Sequence, residues 1–417
     1  MIKRYQSYLV LFFSVLFLTV SFTACSPVSD NPPEYPVKAK TILLYMAANN
    51  NLSSDILGNI QNLKKGFVPL EEEGNLVIYS HIQNANPKLI RVYKSGDGEV
   101  LMDTVYNFPQ VNSATAAALT SAIKVTATLF PARENGLLLS SHGTGWLPAG
   151  YYSSGTFPTE AKSYKTERVA RESTWPAYPA GVDPYAHLVK SFGSEAGKEM
   201  EIVELAKALP HKFSFIIFDA CLMGGIETAY QLRDSTDYIV YSPTEVLTTG
   251  YNYSNMMSYL FQTPADLSGM AKDVYETYNA QSGNLRSVTI SVVKCSELQG
   301  VADAAKVIFD QYRNNIPNLN LKGVQQYFRY NKHWFFDVHD FISQLAGQQG
   351  AADAAAFKVA LDKAVLYKAA TPDFLNLPID PARYSGVSIY IPGAGEEKLI
   401  EFYRKYDWEK AVGMTLQ

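Results

Sequence analysis

Short apolar runs alternate with stretches of helical spacing along most of the chain, and this alternation constrains the fold more than any other feature. The runs that predict strands are 41–46, 75–82, 89–94, 136–141, 213–218, 238–242, 287–293 and 386–391. Helical spacing covers 52–63, 114–130, 201–209, 222–233, 271–281 and 301–314. Such alternation predicts an α/β fold with a mostly parallel central sheet, covered by helices on both faces. The strand at 89–94 is more polar than the others, so we expect it at an edge of the sheet.

One segment interrupts this alternation. Residues 146–190 are rich in Gly, Pro, Ser, Tyr and charged residues, and they show no sustained periodicity. A loop of that length inside a compact domain is uncommon and is usually functional or flexible. Its basic residues include Lys162, Lys165, Arg168 and Arg171.

The N-terminus has the pattern of an export signal. Lys3 and Arg4 precede an apolar run at 9–20, which is short for a membrane span but has the length of a signal-peptide core. The residues Phe-Thr-Ala-Cys at 22–25 resemble a bacterial lipobox, whose cysteine becomes the lipidated first residue of the mature protein. We therefore predict a lipoprotein signal peptide at 1–25 with Cys25 as the lipidation site. An ordinary signal peptide cut nearby is the alternative.

A histidine follows the fully apolar strand at 136–141. Ligands and catalytic groups gather beyond the carboxyl ends of parallel strands, so His142 lies where a functional residue is expected. Gly143 comes next, and a glycine lets its backbone N–H approach a substrate closely. The alternative is a purely structural histidine at a strand end.

A cysteine follows the strand at 213–218. Helical spacing begins at residue 222, so we expect Cys221 at a helix N-terminus, where the helix dipole and unpaired N–H groups favour the thiolate. Asp219 precedes it by two residues and projects from the same face if the strand persists. A carboxylate there could pair with a Lys or Arg side chain of a substrate. The alternatives are a helix-capping aspartate and a buried, inert cysteine.

Together the two motifs resemble the signature of the caspase-like cysteine peptidases, and within that group the chain most resembles the clostripain family. The motifs that support this resemblance are Ser-His-Gly-Thr-Gly-Trp at 141–146, Phe-Asp-Ala-Cys-Leu-Met-Gly at 218–224 and Ser-Pro-Thr-Glu-Val at 242–246. The resemblance covers residues 41–253, and only the rhythm of strands and helices matches further on. It implies a caspase-like three-layer α/β/α sandwich and a cysteine endopeptidase.

The resemblance also implies roles for single residues. Cys221 would attack the scissile carbonyl, and His142 would protonate the leaving amine and then activate the deacylating water. The backbone N–H groups of Gly143 and Cys221 would form the oxyanion hole. Clostripain-like enzymes cleave after Arg or Lys, with an acidic residue at the position of Asp219 lining the primary pocket. Glu245 and Thr244 are weaker candidates for the same pocket.

The resemblance further implies activation by self-cleavage between the histidine and the cysteine, which fits the basic loop at 146–190. Some members use calcium, but the chain has no calcium-loop spacing, so no cofactor is predicted and calcium stays an alternative. The predicted organisation is the signal peptide, a Pro-rich tether at 26–40, a catalytic domain at 41–295 and a C-terminal α/β portion at 296–417 packed on it.

We expect the partners to be peptides or proteins with Arg or Lys at the cleavage site, and a membrane reached through the lipid anchor. The net charge of -4, with no basic run or face, argues against nucleic acid as a partner. A monomer is expected, located on the periplasmic or cell-surface face of a bacterial envelope.

Two other readings remain open at the level of sequence. A binding lipoprotein could keep the caspase-like fold without catalysis, although such a protein has no chemical need for the intact motif residues. Alternatively, Cys221 and Cys295 could form a disulfide in an exported domain. His81 at the end of the second strand could also replace His142 as the partner of Cys221, but it lacks the Gly-x-Gly context, so we interpret it as structural.

Overall fold

A large twisted sheet forms the centre of the computed structural model, which describes residues 35–151, 189–190, 195, 198–329, 332, 334–393 and 396–415. The signal peptide, Cys25, residues 26–34 of the tether and the four basic residues at 162, 165, 168 and 171 lie outside the described residues. The strands are β1 (Lys38–Ala48), β2 (Asn75–Ile82), β3 (Lys88–Lys94), β4 (Val100–Asn107), β5 (Ala132–Ser140), β6 (Phe213–Asp219), β7 (Thr236–Tyr241), β8 (Thr289–Lys294), β9 (Phe336–Asp337), β10 (Val365–Ala370), β11 (Asp373–Phe374), β12 (Leu377–Pro378) and β13 (Ser388–Ile389).

Nine of these strands form the main sheet within the described part of the chain, in the order β10-β8-β7-β6-β5-β1-β2-β3-β4. The five central strands, from β7 to β2, run parallel, and the outer strands pair antiparallel with their inner neighbours. The mostly parallel sheet predicted from the sequence is therefore confirmed. The strand order reverses between β1 and β5, and a crevice opens at such a switch point beyond the carboxyl ends of the strands.

Helices flank the sheet. They are α1 (Ser53–Lys65), α2 (Ala116–Leu129), α3 (Ile202–Ala208), α4 (Ile226–Leu232), α5 (Met256–Leu260), α6 (Leu267–Asn279), α7 (Leu298–Tyr312), α8 (Val338–Ala346), α9 (Ala351–Ala364), α10 (Glu397–Tyr403) and α11 (Asp407–Val412). Side-chain caps begin several of them, as Thr115 does for α2 and Asp266 for α6, where a backbone N–H is satisfied by the capping oxygen. Each helix turns an apolar stripe to the core, as expected for helices covering a sheet.

Two strand predictions are wrong. The run at 89–94 is not the edge strand, because β4 pairs outside β3. None of the residues of β4 is fully buried, and its apolar residues do not alternate with polar ones, so its pattern gave no strand signal. The run at 386–391 contributes only the two-residue strand β13, which pairs with β9 outside the main sheet. The other edge is β10, which follows α9 without a turn signal between them.

The C-terminal third contributes to the same compact unit as the central strands. Strand β10 completes the sheet by pairing with β8, and α11 packs against α4 and α7. Among the described residues, none of the helices combines the length and apolar character that a membrane crossing requires.

Candidate active site

The two sequence motifs leave the sheet side by side. Ser140 ends β5 and Asp219 ends β6, and these two residues are paired partners in the parallel ladder. His142 and Cys221 each follow two residues later. Adjacent strands lie about 4.8 Å apart, so both motifs emerge at the same edge of the sheet, next to the switch point.

A glycine allows the two emerging loops to touch. Gly145 has a φ of 59°, a left-handed conformation that favours glycine, and a Cβ at this position would lie 2.5 Å from the carbonyl oxygen of Leu222. The loop after His142 therefore packs directly on the turn after Cys221.

Cys221 does not lie at a helix N-terminus, so that prediction is wrong. Helix α4 begins only at Ile226, and the intervening turn passes through Leu222 with a φ of 61°. The N–H of Leu222 donates to the carbonyl of Thr244, and the N–H of Gly224 donates to that of Ser242, both at 2.8 Å. These bonds hold the chain extended beside the segment that follows β7. The apolar residues of this turn have a spacing that also fits a helix, which explains the wrong prediction.

The Cys221 thiol is buried, with 1% of the residue exposed. Its Sγ accepts a hydrogen bond from the N–H of Val246 at 3.1 Å and lies 3.6 Å from the carbonyl of the same residue. Burial, followed by the negative charge of Glu245, raises the pKa of Cys221 well above its ordinary value. The resting group is therefore a neutral thiol. Cys221 and Cys295 are both free, so the disulfide alternative is wrong.

His142 is held by a residue from the neighbouring strand end. Its Nε2 lies 2.6 Å from Oδ1 of Asn51, which follows β1 across the switch point. Because a carboxamide oxygen only accepts, Nε2 carries the proton of the neutral ring, and the lone pair lies on Nδ1. Burial, followed by the positive charge of Lys190, lowers the pKa of His142 to about 4. The imidazole is therefore neutral at neutral pH.

Asp219 lies at the base of an acidic pocket, which we define as Asp219 with the surrounding Ser140, Tyr253 and Gly250. Its Oδ2 accepts hydrogen bonds from Ser140 Oγ at 2.8 Å, from Tyr253 OH at 2.7 Å and from Lys190 Nζ at 2.8 Å. The side chains of Lys190 and Asp219, which form this ion pair, are both fully buried. Gly250 has a φ of 67°, and a Cβ there would lie 2.7 Å from Oδ2 and 2.9 Å from Nζ. The acidic pocket thus holds one ammonium group closely.

The backbone next to Lys190 also pairs with the site. Val189 forms an isolated antiparallel bridge with Leu247, and the N–H of Lys190 donates to the carbonyl of Val246 at 3.0 Å. Since the N–H of Val246 donates to Cys221 Sγ, Val246 connects the backbone of Lys190 to the thiol. Residues 189 and 190 therefore lie beside Cys221.

The two weaker pocket candidates have other partners. Glu245 is 1% exposed and accepts Nε of Arg329 at 2.5 Å and Nη2 at 3.0 Å, a buried bidentate pair. The hydroxyl of Thr244 lies 2.7 Å from that of Thr289 and 3.3 Å from that of Ser242. The structure records no contact between either candidate and Asp219 among the described residues.

The remaining candidates are placed as follows. Gly143 is buried in the loop directly after His142. His81 lies at the end of β2, where its Nδ1 is 2.6 Å from Ser113 Oγ and 3.4 Å from Glu195, so it belongs to a separate buried cluster. Within the part of the chain that the structure describes, no three His, Cys, Asp or Glu side chains come together as metal ligands would.

Residues of the C-terminal third contact the loop that carries His142 through hydrogen bonds and ring packing. The indole N–H of Trp146 donates to the carbonyl of Trp334 at 2.9 Å, and Tyr406 OH donates to the carbonyl of Trp146 at 2.8 Å. The Trp146 ring also packs on Tyr390, with ring centroids 4.4 Å apart. A role for this third of the chain in holding the site was not predicted from its sequence.

Sequence reasoning missed Asn51, Lys190, Tyr253 and Arg329. Only Lys190 carried a signal, because it ends the irregular loop and is basic; the others are single polar residues without a motif. Each meets its partner across 29 or more residues of chain, so no local pattern could reveal the contact.

Comparison with known proteins adds independent findings. The family model for peptidase C11, the clostripain family, matches residues 44–158 and 189–413. An inactive zymogen C11 protease from Parabacteroides distasonis is 32% identical, with a TM-score of 0.72, over 91% of this chain and 99% of that one. A secreted C11 cysteine protease from Bacteroides thetaiotaomicron, named iotapain, is 24% identical, with a TM-score of 0.72, over 90% and 100%. The latter likeness is one of fold. No curated protein matches the chain.

Proposed function

The chain belongs to the clostripain family and is a cysteine-type peptidase, and on that premise we propose that it cleaves peptides after basic residues with Cys221 as nucleophile and His142 as acid and base. The observation that carries the specificity is the Asp219 carboxylate, buried at the strand end two residues before the cysteine and already paired with a lysine ammonium. A buried carboxylate with that partner selects a cationic side chain over a neutral one.

The chemistry follows from two neutral groups. The thiol proton passes to the lone pair on His142 Nδ1 as Cys221 Sγ bonds to the scissile carbonyl carbon. The imidazolium then gives this proton to the leaving amine as the carbon–nitrogen bond breaks, which leaves an acyl-enzyme that water hydrolyses. Asn51 accepts from Nε2 and so fixes the orientation of the ring and the position of its proton in the neutral form. The backbone N–H groups of Gly143 and Cys221 are the proposed oxyanion donors.

We further propose export and lipid anchoring at Cys25, with the tether at 26–40 separating the peptidase from the membrane. Self-cleavage within 146–190 is the proposed activation step. Iotapain is a secreted protease, and this likeness together with the apolar run near the N-terminus of this chain supports export. Peptides with Arg or Lys before the cleaved bond are the proposed substrates of a monomeric enzyme. No cofactor is proposed, and assays with and without calcium test that choice.

The test uses the chain from Ser26 onward, which lacks the proposed lipidation site, as wild type, as Cys221→Ala and as Cys295→Ala. Cys295 is the matched control, because it is the other free and buried cysteine. A panel of fluorogenic peptides that differ only in the residue before the cut is incubated under reducing conditions, with and without prior nicking of 146–190. Cleavage after Arg or Lys by the wild type and Cys295→Ala, but not by Cys221→Ala, supports the proposal. Silence from all three favours a binding lipoprotein with this fold.

A further inference from the structure

The ammonium group of Lys190 contacts the Asp219 carboxylate, which is the group that we assign to substrate recognition. Its residue is fully buried, and its ammonium lies 2.8 Å from Asp219 Oδ2. Lysine is almost never fully buried unless it is paired, because desolvation of the ammonium must be offset by a partner charge. This contact therefore indicates the kind of group that the acidic pocket binds, which is one aliphatic side chain that ends in a positive charge.

The backbone of the same segment is placed as a bound peptide would be. Val189 bridges Leu247 in an antiparallel sense, and the N–H of Lys190 donates to the carbonyl of Val246 at 3.0 Å. Addition of an extended segment to an exposed backbone edge is a recurrent mode of peptide recognition, in which main-chain bonds give affinity and a side-chain pocket gives specificity. Residues 246 and 247 supply the edge, and Asp219 supplies the pocket.

The nucleophile adjoins this segment. Val246 bonds Cys221 Sγ through its N–H and Lys190 through its carbonyl, so the side chain in the acidic pocket belongs to a residue beside the thiol. The thiol of Cys221 and the imidazole of His142 are both neutral in this state. Burial raises the pKa of Cys221, and the charge of Lys190 adds to burial in lowering the pKa of His142.

We propose that Val189 and Lys190 occupy the substrate's place in the intact chain, with Lys190 in the pocket for the residue before the scissile bond. This inference rests on the proposed function and specifies its regulation. The segment is covalently attached, so its effective concentration at the site is on the order of millimolar, and it competes with substrates at ordinary concentrations. A basic residue of a substrate enters the acidic pocket only when Lys190 leaves it.

A binding experiment tests the occupancy without catalysis. In a Cys221→Ala background, which keeps the chain uncleaved, Lys190→Ala keeps Cβ and opens a space that fits the shorter ethylammonium ion. Lys190→Met keeps the aliphatic stem and fills that space, and Lys198→Ala removes an exposed lysine outside the pocket. We expect ethylammonium chloride, compared with sodium chloride at equal ionic strength, to raise the Tm of Lys190→Ala alone. If Lys190→Ala responds no more than the other chains, Lys190 does not fill a lysine pocket.

A labelling experiment tests competition at the thiol. Uncleaved chains that retain Cys221 are treated with a peptidyl-lysine acyloxymethyl ketone, and the alkylation rate is followed by mass spectrometry. If Lys190 leaves the acidic pocket less than a tenth of the time, its removal speeds alkylation by about tenfold or more. We therefore expect Lys190→Ala and Lys190→Met to react at least about tenfold faster than the wild type and Lys198→Ala. Equal rates overturn the proposal.

The two proposals fail differently. Hydrolysis of lysine peptides by the nicked wild type, with no response of Lys190→Ala to the ammonium or the ketone, overturns the internal occupant alone. A response to ethylammonium with no peptide hydrolysis by any nicked chain, and no alkylation of Cys221, retains the pocket assignment but overturns the catalytic proposal.

Discussion

Replacement of Asp219 by asparagine probes the acidic pocket with almost no change of shape. The carboxylate accepts three hydrogen bonds on one oxygen, one of them from a buried ammonium. Removing one partner of a buried ion pair costs about 3–5 kcal/mol, because the other charge is left uncompensated. Each 1.4 kcal/mol is about tenfold, so kcat/KM for a lysine substrate should fall by about 10²- to 4 × 10³-fold.

The assay compares kcat/KM for two peptides that carry lysine or its uncharged analogue norleucine before the cut, with nicked enzyme. Asp219→Asn should collapse the preference for lysine while cleavage of the norleucine peptide is kept or improved. Asp237→Asn is the control, since Asp237 is an exposed acidic residue at β7 whose partner is Lys212. An unchanged ratio of lysine to norleucine cleavage in Asp219→Asn would refute the assignment of the acidic pocket.

Three further predictions concern the supporting residues. Arg329→Met leaves Glu245 buried without its partner and should lower the free energy of unfolding in urea by about 3–5 kcal/mol, and adding Glu245→Gln should recover part of this loss. Asn51→Ala removes the acceptor for His142 Nε2 and should reduce kcat by about 10- to 100-fold with KM unchanged; Asn51→Asp should retain more activity, and equal losses would contradict an orienting role. Because the pKa of His142 is about 4 when folded and 6.5 when unfolded, the unfolded chain binds more protons between these values. Stability should therefore fall as pH drops from 6.5 to 4, and His142→Gln should flatten that slope in urea titrations.

The central strands could be predicted because their burial leaves a local trace. Strands β1, β5 and β6 are buried at 42–48, 137–139 and 215–218, so their sequences are continuously apolar there, and the polar residues that follow stand out. The same contrast placed His142 and Cys221 at strand ends. Strand β4 left no such trace, because an edge strand needs little apolar surface, and it was missed.

The prediction that a helix begins at Cys221 was wrong for a different reason. Residues 222–225 are apolar or glycine and continue the spacing of α4, but Gly224 approaches the segment after β7 so closely that a Cβ would lie 2.4 Å from the backbone nitrogen of Pro243. That contact and the bond from Gly224 to Ser242 keep the turn extended. The neighbouring segment, and not local propensity, decides where α4 begins.

The sequence by itself predicted the fold class and the family, and it proposed the pair of residues for the chemistry, because these depend on patterns within a few residues. Only the tertiary structure decided what each group meets. Asp219 is paired with Lys190, and His142 is held by Asn51, because the order of the parallel strands brings distant strand ends and loops to one edge. Strand order is fixed by packing of the whole sheet, and no local pattern encodes it.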